Sequence, residues 1–221
     1  MKVAQKPGRR GSLKWIQRAV NERPHVLDAP ILAQISGASK VHWLSPLAIE
    51  MHAEYRDHLF LERIGHPELA QALAEFWPAR GPQWDALART DTGEVILVEA
   101  KAHLDEVLSG GMQAGPASAA RIESALARVA ADLGAKPPLP WSGPLYQTAN
   151  RLAHLHFLAE HGIPARLAFV CFVGDSDVRG PQSAAEWKGA LHMVGRMLGL
   201  PKKHKLSAQV IEVFPNVCDL Q

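Results

Sequence analysis

The chain has 221 residues, of which 47% are hydrophobic, and a formal net charge of +2 from 24 Lys and Arg against 22 Asp and Glu. This composition is typical of a globular protein and excludes disordered, collagen-like and coiled-coil chains. The near balance of charges also excludes a protein coated uniformly in positive charge for non-specific nucleic-acid packing.

Three features of the sequence bear on the cellular compartment. Cys171 and Cys218 have neither metal-ligand spacing nor a disulfide framework, which predicts a reduced, cytoplasmic protein. The basic segment Met1–Gly11 precedes no apolar region, so it does not read as a secretory signal. The longest strongly apolar run, Leu167–Val173, is far shorter than the roughly 20 residues of a membrane span, so no membrane association is predicted.

The pattern along the chain predicts an arm and one domain. Residues 1–11 combine Lys and Arg with Pro and Gly, which predicts a flexible basic arm. Residues 12–221 are predicted to form a single domain, with a helical part over 12–77 and a sheet-containing core over about 45–221. No internal repeat or low-complexity tract divides this domain further.

Helices are predicted for most of the first third. A helix is predicted over residues 12–22, with Ser12 as its cap. The dipeptide Ser45-Pro46 has the signature of a helix start and predicts a helix that continues to about Ile64. Another helix is predicted over residues 67–77.

A β-hairpin is predicted next. Two extended runs, Trp84–Thr90 and Glu94–Lys101, lie on either side of Asp91-Thr92-Gly93. Glycine in the third position of a three-residue loop suits the left-handed conformation that such a turn requires. With this loop, Thr90 pairs with Glu94.

The register of the hairpin brings charged residues together. Counting back from the loop along both strands places Asp85 opposite Glu99, and directly opposed residues share a face. Lys101 lies two residues beyond Glu99 and points to the same face, while Val98 and Ala100 point into the core. Because opposed carboxylates repel, a divalent cation between them is the natural neutraliser, although a charged pair at a strand end is also typical of a solvated edge.

Beyond the hairpin, helices alternate with strands. Apolar spacing and Gly or Pro breaks predict three helices at about 116–133, 144–161 and 184–198, and two strands at 167–173 and 209–214. The predicted fold class is therefore α+β, with a mixed β-sheet in a three-layer α/β/α-like arrangement.

The charged residues of the hairpin carry a family resemblance. The sequence has Asp85, followed after thirteen residues by Glu99-Ala100-Lys101. This arrangement resembles the PD-(D/E)xK motif of the restriction-endonuclease-like nuclease superfamily. The proline that usually precedes the Asp is Trp84 here, and Pro82 stands three positions before Asp85. The longer stretch Trp77–His103 is similar to uncharacterised bacterial members of that superfamily.

The resemblance implies a fold and a metal site. It implies an αβββαβ core, here with extra N-terminal helices, and Mg²⁺, or alternatively Mn²⁺, bound by Asp85, Glu99 and the Ala100 carbonyl. Lys101 is then expected to position the attacking water or to help deprotonate it. A carboxylate from the preceding helix usually completes such a site, and Glu54 is the first choice for this role.

The choice of that carboxylate stays open among three residues. Glu50 and Glu54 share a face of the predicted helix, and Glu62 lies further along it. Each is equally consistent with a solvated helix face on which Arg56 and Arg63 are the partners.

Candidate nucleic-acid contacts lie on two elements. Gln147 and Arg151 form part of a polar stripe on the helix after the hairpin, and Arg89 lies on the hairpin itself. The stripe is also consistent with the wet face of an ordinary amphipathic helix. Basic residues near both chain ends are further candidates if the fold brings them together: Lys2, Lys6, Arg9, Arg10, Lys14, Arg18, Lys202, Lys203 and Lys205.

The sequence thus predicts a Mg²⁺-dependent phosphodiesterase that acts on nucleic acid, with DNA favoured over RNA, and a homodimer is compatible with this interpretation. The alternative is a catalytically silent binding or regulatory module of the same fold in a DNA defence or repair assembly. Among the histidines, only His103 is expected near the site, and no His or Cys spacing indicates a transition metal.

Overall fold

Two β-sheets organise the computed structural model of the chain, which describes residues Met1–Gln221. The seven strands are β1 (Lys2–Val3), β2 (Val41–Ser45), β3 (Glu54–Tyr55), β4 (Ala86–Thr90), β5 (Val95–Lys101), β6 (Ala165–Cys171) and β7 (Val210–Val213). The main sheet has five strands in the order β2-β4-β5-β6-β7, and β1 and β3 form a separate antiparallel pair. In the main sheet β2, β4 and β5 are antiparallel neighbours, whereas β6 is parallel to both β5 and β7.

Seven α-helices cover the two faces of the main sheet. They are α1 (Gly11–Asn21), α2 (His25–Leu32), α3 (His58–Arg63), α4 (Ala70–Phe76), α5 (Pro116–Asp132), α6 (Tyr146–Glu160) and α7 (Ala184–Met197). Buried residues of α1 and α2 pack with one face of the sheet, and those of α3 to α7 pack with the other. The predicted α+β class with three layers is confirmed. None of the helices combines the length and the apolar character that a membrane span needs.

The central strand β5 is buried along its whole length. Its two faces belong to two different hydrophobic cores. Val95 and Leu97 pack in the core that contains α5 and α6, whereas Ile96, Val98 and Ala100 pack in the core that contains α1. A strand that is covered on both faces usually consists of a continuous run of apolar residues. Glu99 and Lys101, two charged residues at the buried end of β5, are exceptions to this rule.

The hairpin register predicted from the loop is confirmed. Ala86 pairs with Val98, Leu87 with Leu97 and Ala88 with Ile96. Gly93 has φ +89°, the left-handed conformation expected at the third loop position.

The long helix predicted from Ser45-Pro46 to about Ile64 is wrong. Ser45 is the last residue of β2, and a single 3₁₀ turn at Ala48–Glu50 precedes β3 before α3 begins. Met51, His52 and Asp57 have positive φ values of 56°, 48° and 56°, which no continuous right-handed helix allows. Pairing of β3 with β1, from the far N-terminus, overrides the local helix preference.

The start of the predicted flexible arm is paired with the rest of the chain. Lys2 and Val3 form β1, the Gln5 amide donates to the Met51 carbonyl at 3.0 Å, and the Gly8 amide donates to Gln17 Oε1 at 2.7 Å. Ser12 does not cap α1, since its hydroxyl donates to Glu106 Oε1 at 3.0 Å.

The other predicted elements agree with the structure to within a few residues. The helix predicted over 67–77 begins with a 3₁₀ turn at Pro67–Leu69 and continues as α4. The sequence pattern predicted neither α2 nor β2. Helix α2 is stabilised by packing on the main sheet, and β2 by pairing with β4.

Candidate functional site

The ladder between strands β4 and β5 ends at the pair of Ala86 and Val98, just after Asp85 in the chain. Trp84 leaves the hairpin and donates its backbone amide to the Tyr55 carbonyl at 3.1 Å. This departure leaves the Ala100 amide of β5 without a backbone partner on that edge. The Asp85 carboxylate takes the place of the missing carbonyl, and its Oδ2 accepts the Ala100 N–H at 2.7 Å. The local topology therefore holds Asp85 against the end of β5.

Glu99 is the centre of a buried ion cluster. Its Oε1 lies 2.5 Å from Lys101 Nζ, and its Oε2 lies 2.5 Å from Arg151 Nε. The three residues are only 1%, 6% and 4% exposed, respectively. Burial by itself would raise the pKa of Glu99, but the two cations outweigh it and hold that pKa below its usual range.

Helix α6 supplies two side chains to this cluster. Lys101 Nζ donates to Gln147 Oε1 at 2.7 Å. Arg151 also donates to the Gln83 carbonyl at 2.8 Å and to Asn150 Oδ1 at 2.9 Å. The structure thus brings Gln147 and Arg151 beside the hairpin carboxylates, and it directs the Arg151 guanidinium inwards rather than to the surface. The polar stripe of α6 is a buried face, not a wet one.

Glu54 joins the cluster from a strand rather than from a helix. Its Oε2 accepts hydrogen bonds from Gln83 Nε2 at 2.5 Å and from Gln5 Nε2 at 3.1 Å. Burial raises the pKa of the Glu54 carboxyl, with a smaller contribution of the same sign from the Glu99 charge. The predicted third carboxylate is therefore present, although β3 and not a helix positions it.

The two other acidic candidates lie elsewhere. Glu50 accepts from the Tyr55 hydroxyl at 2.5 Å and from Arg63 Nη2 at 2.9 Å, which holds the pKa of Glu50 below its usual range. Glu62 is exposed on α3. Of the three, only Glu54 lies near enough to Glu99 and Asp85 for their charges to interact.

Among the carboxyl groups of the cluster, Asp85 has the most strongly raised pKa. Burial, followed by the charges of Glu99 and Glu54, raises the pKa of Asp85 to about 8. Its side chain nevertheless keeps some exposure to solvent. Three carboxyl groups that oppose one another's ionisation form an environment in which an added cation is strongly favoured.

The donor set fits a hard divalent cation. Asp85 Oδ1 and Glu54 Oε1 accept no hydrogen bond from the protein. The Ala100 carbonyl lies on the same edge of β5 as its amide, which faces Asp85. All of these ligands are oxygen atoms, as Mg²⁺ prefers, whereas both oxygens of Glu99 are shared with Lys101 and Arg151.

Neither Arg89 nor His103 forms a hydrogen bond or an ion pair with the residues of this cluster. Arg89 is near the turn of the hairpin, four residues and about 13 Å along β4 from Asp85. His103 lies beside Asp105 and Glu106, with nitrogen-to-oxygen distances of 3.8 Å and 3.6 Å.

Sequence reasoning missed two members of the cluster, Gln83 and Gln5. Gln83 stands two residues before Asp85, so strand alternation was a usable signal for placing it on the same side. No local signal marks Gln5, because its contact with Glu54 depends on the β1–β3 pairing.

His154, one turn after Arg151 on α6, lies in an aromatic environment. It is 1% exposed, and its Nδ1 donates to the Asn150 carbonyl at 2.8 Å, because a carbonyl oxygen can only accept. Burial lowers the pKa of His154 to about 3, so the ring is neutral at pH 7. Four rings lie within 6.2 Å of it, centroid to centroid: Phe60, Phe76, Trp77 and Trp84.

This buried neutral ring predicts an acid-sensitive fold. Because its pKa is lower in the folded chain than in the unfolded one, the unfolded state binds the proton first as the pH falls below about 6.5. We expect His154 to reduce the free energy of unfolding by about 2 kcal/mol between pH 7 and pH 5. Urea unfolding of the wild type and of His154→Phe at both pH values measures this difference, and equal pH dependence in the two proteins contradicts it.

A second polar cluster joins α5 to α6. The buried His156 has Nε2 at 3.2 Å from Asp132 Oδ2 and Nδ1 at 3.4 Å from Glu160 Oε2. One ligand atom from each of the three residues lies within 4.8 Å of the others, although His156 Nδ1 forms no hydrogen bond.

Comparison of the chain with protein-family models, with curated proteins and with solved structures finds no match.

Proposed function

We propose that this protein is a divalent-metal-dependent phosphodiesterase that hydrolyses nucleic acid, with DNA as the favoured substrate. The observation that carries this proposal is the meeting of Asp85, Glu99, Glu54 and Lys101 at the end of one hairpin. Paired carboxylates beside a lysine suit phosphoryl chemistry, which needs a cation ligand set and a donor for the attacking water. The sequence resemblance to PD-(D/E)xK nucleases supports the same conclusion.

Each residue has a distinct role in this proposal. Asp85, Glu54, Glu99 and the Ala100 carbonyl would hold the Mg²⁺, which when bound supplies Lewis-acid stabilisation of the charge that develops on the phosphate. Lys101 donates hydrogen bonds that orient the attacking water towards phosphorus. Gln147 Oε1 accepts a second hydrogen bond from the Lys101 ammonium, at 2.7 Å.

Arg151 acts as a positioning residue. Its Nε holds Glu99 Oε2, and its remaining nitrogens are anchored on the Gln83 carbonyl and on Asn150. A carboxylate fixed in this way loses little conformational freedom when a cation binds, since its orientation is already set.

One observation favours a second candidate, a catalytically silent binding module of the same fold. Lys101 and Arg151 together neutralise Glu99 without any metal, in a fully buried arrangement. An inactive domain retains this ion cluster as a structural element.

The experiment that separates the two candidates is a cleavage assay. Purified protein is incubated with plasmid, single-stranded DNA and RNA, in Mg²⁺, in Mn²⁺ and in EDTA. Cleavage that needs the metal and is lost in Asp85→Ala supports the enzyme. The matched control is Asp105→Ala, because the Asp105 side chain is 98% exposed and lies outside the cluster.

Two outcomes contradict the proposal. Cleavage that survives Asp85→Ala means that another site or a contaminant acts. Nucleic-acid binding with no cleavage under any metal condition supports the silent module instead.

A further inference from the structure

A cavity of about 580 Å³ lies next to the carboxylate cluster. Ligand sites in proteins typically have volumes of about 300–1,000 Å³, so the cavity is large enough for a drug-sized group. Buried residues form its floor and exposed residues of α4 and α5 form its mouth; they include Trp77, Gly81, His154, Gln71 and Arg121.

A single aromatic ring separates this cavity from the cluster. The Arg151 guanidinium carbon lies 5.0 Å from the centroid of the Trp84 ring, and the His154 ring lies 6.2 Å from the same centroid. Along the chain, Gly81 in the cavity wall is two residues from Gln83, which contacts both Glu54 and Arg151. The cavity wall and the carboxylate cluster are therefore built from neighbouring residues.

The cavity contains a hydrogen-bond acceptor that the protein leaves unused. His154 is 1% exposed and donates through Nδ1 to the Asn150 carbonyl, so Nε2 is the unprotonated nitrogen. No protein group donates to Nε2, although His154 lines the cavity. The rest of the His154 ring is buried, so this nitrogen is the part of the side chain that can accept a hydrogen bond from a group entering the cavity.

The walls beside this acceptor suit a flat ring. Trp77 lines the cavity with its centroid 4.9 Å from the His154 ring. Asp57 also lines the cavity, and its Oδ1 accepts a hydrogen bond from the Gly81 amide at 2.9 Å. Gly81 has no side chain, and a Cβ there would lie 3.4–3.5 Å from Trp77, Asp57 and His154, so glycine keeps the space between them open. Arg121 at the mouth donates through Nη2 to the Ala74 and Glu75 carbonyls, which leaves its Nε and Nη1 for a phosphate.

We propose that this cavity binds one unpaired nucleobase of the substrate strand, packed against Trp77 and donating an N–H to His154 Nε2. The inference rests on the proposed function and names its substrate class. A base inside a duplex is stacked and paired, and it reaches such a pocket only when it is extruded or single-stranded. The substrate is therefore nucleic acid with an unpaired nucleotide close to the cleaved bond.

Binding measurements test this assignment independently of cleavage. A fluorescent DNA duplex with one central unpaired adenine is compared by anisotropy with the same duplex carrying an abasic residue at that position, in EDTA and in Mg²⁺. Because Trp77 is only 3% exposed, the hydrogen bond to His154 Nε2 is the main contribution. Such a bond contributes about 0.5–1.5 kcal/mol, so we expect the wild type to bind the adenine duplex about two- to tenfold more tightly.

Two variants connect the preference to the cavity. Gln71→Trp places an indole at the mouth from an exposed position, and we expect it to bring the affinity ratio close to one. The matched control, Gln34→Trp, makes the same change at an exposed position far from the cavity and is expected to keep the wild-type ratio. His154→Phe retains an aromatic ring, removes the acceptor and is expected to lower the ratio; thermal unfolding confirms that each variant is folded.

The outcomes distinguish this inference from the proposed function. Equal affinity of the wild type for both duplexes, or a ratio that Gln71→Trp leaves unchanged, overturns the base pocket while leaving the nuclease proposal intact. Failure to bind either duplex under both conditions overturns nucleic-acid binding itself, and the base pocket with it.

Discussion

Lys101→Met is expected to slow metal-dependent cleavage by about 10²- to 10⁴-fold while divalent-metal binding remains at least as tight as in the wild type. The rate falls because the group that orients the attacking water is lost. Metal binding does not weaken, because Lys101 Nζ lies 2.5 Å from Glu99 Oε1 and competes with any cation for that oxygen. Single-turnover cleavage measures the rate, and Mn²⁺ titration by calorimetry measures the affinity.

This pair of measurements separates a catalytic lysine from a structural one. Lys136→Met changes an exposed lysine outside the cluster and is the matched control, for which neither quantity should change. If Lys101→Met weakens Mn²⁺ binding as much as it slows cleavage, its role is to build the metal site and not to act on water.

Arg151→Met is expected to lower the free energy of unfolding by about 3–5 kcal/mol. Glu99 is 1% exposed, and removal of one of its two cations leaves a buried carboxylate that is only partly compensated. Urea unfolding at pH 7 measures the change. The exposed pair of Arg128 with Glu160, at 3.7 Å, provides the control, since Arg128→Met should cost no more than about 1 kcal/mol.

A double variant tests the cause of this loss. Adding Glu99→Gln to Arg151→Met removes the uncompensated charge, so the double variant should be more stable than Arg151→Met alone. A single variant that loses less than about 1 kcal/mol, or a double variant whose losses simply add, contradicts a coupled buried cluster.

The hairpin could be predicted because its determinants are local. The glycine of Asp91-Thr92-Gly93 fixes the loop length, and strand alternation then places Glu99 and Lys101 on one face. Asp85 was predicted to lie opposite Glu99 by extending the ladder, but the ladder ends at Ala86. What holds Asp85 there is a side-chain bond to the Ala100 amide, which no count of residues reveals.

The rest of the cluster depends on contacts between distant segments. Glu54 was predicted as part of a helix, whereas the structure positions it through pairing with a strand at the N-terminus. Helical spacing alone makes Arg151 a surface cation, and only the packing of α6 against β6 turns it towards Glu99. Local propensity cannot anticipate such placements, because the partner residue is tens of positions away.

The bond between Asp85 and the Ala100 amide has a consequence for how this site changes over generations. Ala100 is buried, and loss of an acceptor at position 85 leaves its N–H unsatisfied at a cost of about 1–3 kcal/mol. Selection for a stable fold alone therefore retains Asp or Asn at position 85, even in a descendant that no longer turns over substrate. The buried pair of Glu99 and Arg151 is retained for the same reason, since loss of either partner leaves a buried charge uncompensated. Among natural variants of this chain, retention of Asp85 and Glu99 therefore reports on the stability of the fold as much as on activity.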